Sequence, residues 1–245
     1  MAAPEQSNAS ERTGSVKGNN LVPGNLAALG QEDRLSFDQT LFHWINGLGG
    51  HVVVIDRLFT GLADDYFLII AMCLVLVGMW FGTRKPEERQ RNQIAVLKAM
   101  ASLGMASGFV ALVNNIFVGD NKYPGTLLHE IFNRPRPFDP SSGLSVHLLF
   151  YKPTDPSFPS NLAAVVFGLA IAVWLMNKRW GTWLLVMAFV ACFARVYVGI
   201  HYPSDILGGF VFAVAGVAVT YFLFWALSPL VKLINWILKA LYLAG

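Results

Sequence analysis

A histidine and an aspartate stand four residues apart at the end of an apolar run, in ARVYVGIHYPSD (194–205). A carboxylate at this spacing can reach the imidazole of His201, fix its tautomer and stabilise the imidazolium. His201 is therefore a candidate nucleophile, and Asp205 is its supporting group. Arg195 lies six residues before His201, and a charge in an apolar segment favours a functional role. A lone histidine is usually structural, but a histidine accompanied by an arginine and an aspartate is a candidate for nucleophilic chemistry.

A second cluster, HEIFNRPRPF (129–138), alternates Arg134 and Arg136 with two prolines. Proline keeps the backbone extended and stiff, so the cluster presents two planar guanidinium groups. Such groups match the oxygens of a phosphate, although an anchor for lipid headgroups would explain the pair equally well.

A third cluster, FPSNL (158–162), precedes another apolar run. Ser160 is a candidate N-cap, which would leave the backbone amides of Asn161 and Leu162 free to bind an anion. Many helices begin with serine, so this cluster alone indicates little.

The composition places these clusters in a membrane protein. Of 245 residues, 55% are hydrophobic and 13% charged, and the mean hydropathy is +0.50. A soluble domain carries about 25% charged residues, so we expect an all-α, polytopic membrane helix bundle. The net charge of +3 is too small to indicate nucleic-acid binding. Cys73 and Cys192 lie in apolar runs and are predicted to be free thiols, with no disulfide or metal pattern.

Five segments are apolar and long enough to span a membrane. They are roughly 66–83, 94–118, 160–177, 181–200 and 205–227. The segment 38–62 carries internal charges, which favours an amphipathic or re-entrant segment over a sixth span. Residues 1–37 are predicted to be a disordered polar tail, 38–229 the membrane domain, and 230–245 an amphipathic C-terminal helix.

The loop charges predict the orientation. The short loops TRKPEERQRNQ (83–93) and NKRWG (177–181) are basic, which favours the cytoplasmic side for both. The segment 119–159 and the turn at HYPSD then lie outside, so all three clusters share one face. This agreement predicts one composite site for phosphoryl transfer to His201, with Arg136, Arg195 and Ser160 around the phosphate oxygens. The arginines supply the positive charge, so we expect no metal and no other cofactor.

In the three clusters described above, the sequence resembles the type 2 phosphatidic acid phosphatase superfamily. Its pattern is Lys-x6-Arg-Pro, then Pro-Ser-Gly-His, then Ser-Arg-x5-His-x3-Asp. The segments FNRPRPF, SFPSN and ARVYVGIHYPSDILGG are most similar to the bacitracin-resistance type of undecaprenyl-diphosphate phosphatase. The resemblance implies that His201 forms a phosphohistidine supported by Asp205, and that Arg136, Ser160 and Arg195 bind phosphate. Asn161, Arg134 and His129 are further candidates for phosphate contacts.

Two departures from the family pattern bear on the chemistry. His129 stands where the pattern has lysine, and histidine is charged only part of the time near its pKa of about 6.5. Leu162 stands where the resemblance implies a histidine that protonates the leaving group. Leucine cannot donate a proton, so the resemblance implies an impaired enzyme. Leu162 is either an introduced substitution or a natural loss.

The resemblance implies a hydrolase of the bacterial inner membrane that recycles the cell-wall lipid carrier on the outer face. Its expected partners are a polyprenyl diphosphate substrate and membrane lipids. Two alternatives stay open at this point. The site could instead serve a lipid phosphotransferase or a phosphatase of phosphatidylglycerol phosphate or lipid A. It could also belong to a non-catalytic lipid-phosphate binder or transporter.

Overall fold

The computed structural model describes residues 36–119 and 124–240, with side chains described as far as residue 229. The predicted disordered tail and the last five residues therefore lie outside the described residues, apart from residues 36 and 37. The described residues form eight α-helices and no strand, as an all-α fold requires. The helices are α1 Phe37–Asn46, α2 Val53–Leu62, α3 Phe67–Phe81, α4 Pro86–Asn114, α5 Leu127–Phe132, α6 Asn161–Met176, α7 Lys178–Tyr197 and α8 Pro203–Ala240. A π-helical turn, Asn115–Gly119, extends α4, and a 3₁₀ turn occupies Pro140–Ser142.

Helix α6 is the centre of the bundle, and α4, α7 and α8 pack around it. Its sequence is apolar on every face, as expected of a helix surrounded by other helices. Small residues bring the axes close. A Cβ added at Gly216 of α8 would lie 2.8 Å from the backbone nitrogen of Ala106 in α4, and one at Gly168 of α6 would lie 3.4 Å from the Ala106 Cβ.

A second close approach involves Gly209, which the small-xxx-small pair Gly209 and Ala213 predicts to be a helix contact. A Cβ at Gly209 would lie 2.4 Å from the carbonyl oxygen of Ser160, so any larger residue would push α8 away from the start of α6. The similar pair Gly104 and Gly108 makes no such contact, because nothing lies within 4 Å of a Cβ at either position. That pair faces away from the neighbouring helices.

Among the described residues, three helices are long and apolar enough to cross a membrane: Pro86–Gly119, Lys178–Tyr197 and Pro203–Pro229. Helices α2 and α3 together form a fourth candidate, bent by 57° at their junction. The chain is therefore a multi-pass membrane protein with three or four candidate spans in its described part, and the predicted count of five is not confirmed. Helix α6 has only 16 residues, because Asn177 leaves the helical conformation and its side chain caps α7 by accepting from Trp180 N.

The segment 38–62 folds into two short helices instead of one span. Each has 10 residues, which at about 1.5 Å per residue covers half of the hydrocarbon core. At the other end of the chain, α8 runs without a break through Pro229 to Ala240. The predicted C-terminal helix is thus a continuation of α8 over its described residues.

The two basic loops lie at the same end of the bundle. Asn177, between α6 and α7, donates to Asn92 Oδ1 near the start of α4 at 3.0 Å. Asn92 in turn donates to Thr83 Oγ1 at 3.4 Å. Helices α6 and α7 run from this end to the opposite one, where Ser160 and Arg195 lie.

Candidate active site

The three clusters meet at the end of the bundle that faces away from the basic loops. Backbone hydrogen bonds join them: Ser157 N donates to Arg134 O at 2.9 Å, and Ser160 N donates to Asp205 O at 3.0 Å. Gly199 allows the turn that leads to His201, because its φ of +87° lies in the region that other residues avoid. Residues far apart in sequence thus share one rigid frame.

A cavity of about 300 Å³ opens between the clusters. Four aliphatic or proline side chains form one part of its wall, and seven polar ones form the rest. The lining residues are Asp65, Ile69, Arg136, Tyr151, Pro153, Asp155, Asn161, Leu162, Val165, Arg195 and His201. Such a wall suits a ligand with a charged head and an apolar tail.

His201 is buried with its two ring nitrogens in different surroundings. Nδ1 lies 3.0 Å from the carbonyl oxygen of Ser157 and 3.4 Å from Asp205 Oδ2. A carbonyl oxygen can only accept, so Nδ1 carries the proton and Nε2 carries the lone pair. Burial lowers the pKa of His201, which favours the neutral ring. The imidazole is therefore held in the form that can act as a nucleophile.

Asp205 is fully buried, and its hydrogen bonds connect the residues around His201. Its Oδ2 accepts from Ser157 Oγ at 2.5 Å and from Tyr202 N at 2.7 Å, and its Oδ1 accepts from Arg134 at 3.2 Å. The predicted contact with the imidazole is present, but the Ser157 carbonyl is the closer partner of Nδ1. Asp205 therefore acts on His201 both directly and by fixing Ser157.

Arg136 reaches the cavity from the second cluster. Its Nη1 donates to Ile200 O at 2.9 Å and lies 3.2 Å from His201 Nε2. The rest of the guanidinium bonds Asp155 through the backbone oxygen and the carboxylate, both at 2.9 Å. Burial lowers the pKa of Arg136, whereas the neighbouring Asp155 opposes that shift, and the group stays a cation at neutral pH.

Arg195 reaches the same cavity from the last turn of α7. It is almost completely buried, and its Nη2 donates to the carboxylate of Asp65. Its Nε–H has no hydrogen-bond partner in the part of the chain that the structure describes. A buried donor without a partner costs free energy. Arg195 also lines the cavity, so its guanidinium is a candidate partner for an anion there.

The third cluster begins α6 as predicted. Ser160 is the N-cap, and its buried Oγ accepts from Ala163 N at 3.4 Å, so it supports the cavity from behind and does not line it. Asn161 and Leu162 do line the cavity. Leu162 is 9% exposed and brings an aliphatic group to the wall that holds Val165 and Ile69.

Besides Ser160, two predicted phosphate contacts, Arg134 and His129, lie outside this cavity. Arg134 bonds Asp38 at 2.7 Å and Ser204 at 2.6 Å, and it lies over the Tyr202 ring. His129 Nδ1 lies 2.6 Å from Phe117 O. Arg134 and Arg136 have different partners: Arg134 donates to Asp205 Oδ1 at 3.2 Å, whereas Arg136 Nη1 lies 3.2 Å from His201 Nε2.

Three polar residues of the cavity are absent from the sequence-based prediction: Asp65, Tyr151 and Asp155. Asp65 accepts from Arg195 and from the hydroxyl of Tyr151, so the three form one network. The only signal for Asp65 is its place directly before the apolar run of α3. Its contact with Arg195 joins residues 130 positions apart, and no local pattern reports it.

The two arginines offer a test of how the cavity binds anions. We expect Arg136→Lys and Arg195→Lys each to lower turnover of a phosphate ester about 10²-fold, because an ammonium group cannot reproduce the planar fork of donors. Steady-state kinetics on purified protein would measure the loss, with Arg84→Lys in the exposed basic loop as the matched control. Unchanged kcat and KM in both cavity variants would show that only net charge matters there.

The fold and the site together define a class of protein: a multi-pass helical membrane protein in which a buried histidine and two buried arginines line one cavity. Residues 95–229 match the family model of the PAP2 superfamily, and the chain belongs to that superfamily. The resemblance found in the motifs is thereby confirmed.

Relatives and a solved structure agree with this assignment. The chain is 30% identical over 193 residues to undecaprenyl-diphosphatase BcrC of Bacillus subtilis, covering 78% of this chain and 84% of that protein. It is 28% identical over 178 residues to the putative undecaprenyl-diphosphatase YbjG of Escherichia coli, covering 72% and 77%. The crystal structure of Aquifex aeolicus LpxE has the same fold, with a TM-score of 0.54, 22% identity, and coverage of 76% of this chain and 96% of that one.

Proposed function

We propose that this protein is a lipid-diphosphate phosphatase that hydrolyses undecaprenyl diphosphate to undecaprenyl phosphate and inorganic phosphate. The observation that carries the proposal is the unprotonated Nε2 of His201, facing a cavity that Arg136 and Arg195 also line. The names of the similar proteins supply the substrate class. The aliphatic wall with Ile69 and Val165 is suited to the first part of an isoprenoid chain.

The reaction has two steps at one phosphorus atom. In the first, His201 Nε2 attacks the terminal phosphorus, the N–P bond forms, and the bond to the bridging oxygen breaks with its electrons going to undecaprenyl phosphate. Arg136 and Arg195 stabilise the charge on the non-bridging oxygens. In the second, water displaces the imidazole and releases phosphate.

Leu162 bears on the first step. It lies in the cavity wall and has no exchangeable proton, so it cannot protonate the departing oxygen. The departing group here is a phosphate monoester, whose second pKa is about 6 and which leaves without full protonation. A diphosphate substrate therefore suits this cavity better than a simple phosphate ester, whose alkoxide leaving group needs the proton.

We place the site on the outer face of a bacterial inner membrane. The support is the loop charge, because the basic segments 83–93 and 177–181 lie at the opposite end of the bundle and short basic loops stay in the cytoplasm. Hydrolysis of the diphosphate on the outer face fits the recycling of a lipid carrier that is released on that face.

Cysteine labelling tests this orientation. In a variant whose Cys73 and Cys192 are replaced by alanine, we expect Ser141→Cys to react with a membrane-impermeant maleimide in intact cells. Arg84→Cys should react only after the membrane is permeabilised, because both positions are exposed but at opposite ends of the bundle. Labelling of Arg84→Cys in intact cells would place the site in the cytoplasm.

The function itself is tested by phosphate release from purified lipids. The protein in detergent is given undecaprenyl diphosphate, phosphatidylglycerol phosphate or lipid A at equal concentration, and phosphate is measured over time. We expect release chiefly from undecaprenyl diphosphate. Preference for another lipid would change the substrate class. Binding of all three without release would identify a lipid-phosphate binder instead.

A further inference from the structure

We infer that Asp65 is the general base that activates the water for the second step, an inference that rests on the proposed function. Water must lose a proton as it attacks the phosphohistidine, and Leu162, Val165 and Ile69 cannot accept one. The ionisable carboxylates that line the cavity in the described part of the chain belong to Asp65 and Asp155. The choice therefore lies between these two aspartates.

The contacts of the two aspartates separate their roles. Asp155 is held by Arg136, and the same guanidinium touches His201 Nε2, so Asp155 belongs to the nucleophile's side of the cavity. Asp65 is held by Arg195 and Tyr151, and neither of these bonds His201 among the described residues. In-line displacement puts the attacking water opposite the departing imidazole. The base therefore belongs on the wall of Arg195.

The surroundings of Asp65 suit a base. Both its partners donate to the carboxylate, one oxygen facing the Arg195 guanidinium and the other the Tyr151 hydroxyl, so the group is ionised and oriented. Its side chain is 37% exposed, which leaves room for water at the remaining lone pairs. Arg195 links the base to the phosphoryl group, because the guanidinium that donates to Asp65 belongs to a side chain that also lines the cavity.

The water oxygen forms a bond to phosphorus while one of its protons passes to Asp65. The N–P bond breaks and its electrons return to Nε2, so His201 becomes neutral again with its Nδ1 proton still directed at Ser157 O. Asp65 then releases the proton to solvent through the open cavity.

Trapping the phosphoenzyme tests this role. The protein is mixed with undecaprenyl diphosphate labelled with ³²P in the terminal phosphate, quenched in alkali, in which phosphohistidine survives, and assayed for label on the chain. For Asp65→Asn we expect steady-state release to fall about 10²-fold or more, the usual worth of a general base, while label on the protein rises at least about tenfold. Hydroxylamine, a nucleophile that attacks without prior deprotonation, should take the phosphoryl group from the imidazole and restore turnover, measured as undecaprenyl phosphate formed.

Asp64→Asn is the matched control. Asp64 is the neighbouring carboxylate, caps α3 through Tyr66 N and Phe67 N, and does not line the cavity, so its removal changes the same charge without touching the water. Parent-like turnover in Asp65→Asn would overturn the inference, and so would slow turnover without extra label, which would assign Asp65 to positioning Arg195. A result against the proposed function itself is distinguishable from these outcomes, because the unaltered protein would then neither release phosphate nor take up label.

Discussion

Replacing His201 by alanine should reduce phosphate release from undecaprenyl diphosphate about 10⁴-fold or more, the scale of loss seen when a hydrolase loses its nucleophile. The reason is geometric, because Nε2 of this ring is the one unprotonated nitrogen that faces Arg136 in the cavity. The measurement is release of phosphate by the parent and the variant at equal concentration in the same detergent. Alkaline trapping should find label on the parent and none on His201→Ala.

His147→Ala is the control for this experiment. His147 is exposed, its backbone nitrogen donates to Asn46 Oδ1, and its side chain does not line the cavity. Its removal should leave turnover unchanged. Substantial release by His201→Ala would refute the phosphohistidine mechanism.

Asp205→Asn should lower turnover less than His201→Ala does. The Ser157 carbonyl, at 3.0 Å, keeps the Nδ1 proton in place without the carboxylate. We therefore expect a loss of about 10²-fold, below the loss of about 10⁴-fold found where a carboxylate alone sets the tautomer.

Leu162→His should raise turnover, by about 10²-fold with undecaprenyl diphosphate and up to about 10⁴-fold with a lipid phosphate monoester. An imidazole at this position can protonate the departing oxygen, and the alkoxide of a monoester needs that proton more than a phosphate does. Position 162 lines the cavity and begins α6, so the new side chain enters the site from a rigid element. Initial rates of phosphate release with both substrates would measure the gain and its dependence on the leaving group.

Leu162→Asn separates proton donation from polarity, because the amide has about the size of leucine and donates hydrogen bonds without giving up a proton. We expect it to stay near the parent rate. A gain equal to that of Leu162→His would show that a wetter cavity, and not a general acid, is what the parent lacks. No gain with histidine on either substrate would remove the general acid from this position.

Much of this site is visible in the sequence because its parts are local. His201 and Asp205 are four residues apart across one turn and the start of α8, and Ser160 caps the helix that it begins. The hydropathy of the runs identifies a membrane bundle, because burying an apolar helix in lipid requires little beyond length and composition. The orientation of the basic loops is likewise predicted from charge alone, and it stays a prediction.

Other sequence-based predictions depended on which face of a helix or extended segment packs against a neighbour, and the sequence does not decide this. Gly209 and Gly104 stand in equivalent small-residue pairs, yet only the former meets a neighbouring backbone, at 2.4 Å for an added Cβ. Arg134 and Arg136 have the same chemistry and nearly the same position. The fold sends one to Asp38 and Asp205 and the other to His201.

The composition of the cavity, finally, was decided by tertiary structure. Asp65 stands beside Asp64 in a short polar junction and has no feature that marks it, but the packing of α2 and α3 brings it to Arg195. Ser157 became the closest partner of His201 through its backbone carbonyl, a group that every residue possesses. Sequence determined the residues whose chemistry and partners lie within one helical turn. Contacts between residues tens of positions apart were set by helix packing. The partner of such a side chain depends on how two helices pack against each other, and the local sequence of neither helix specifies that packing.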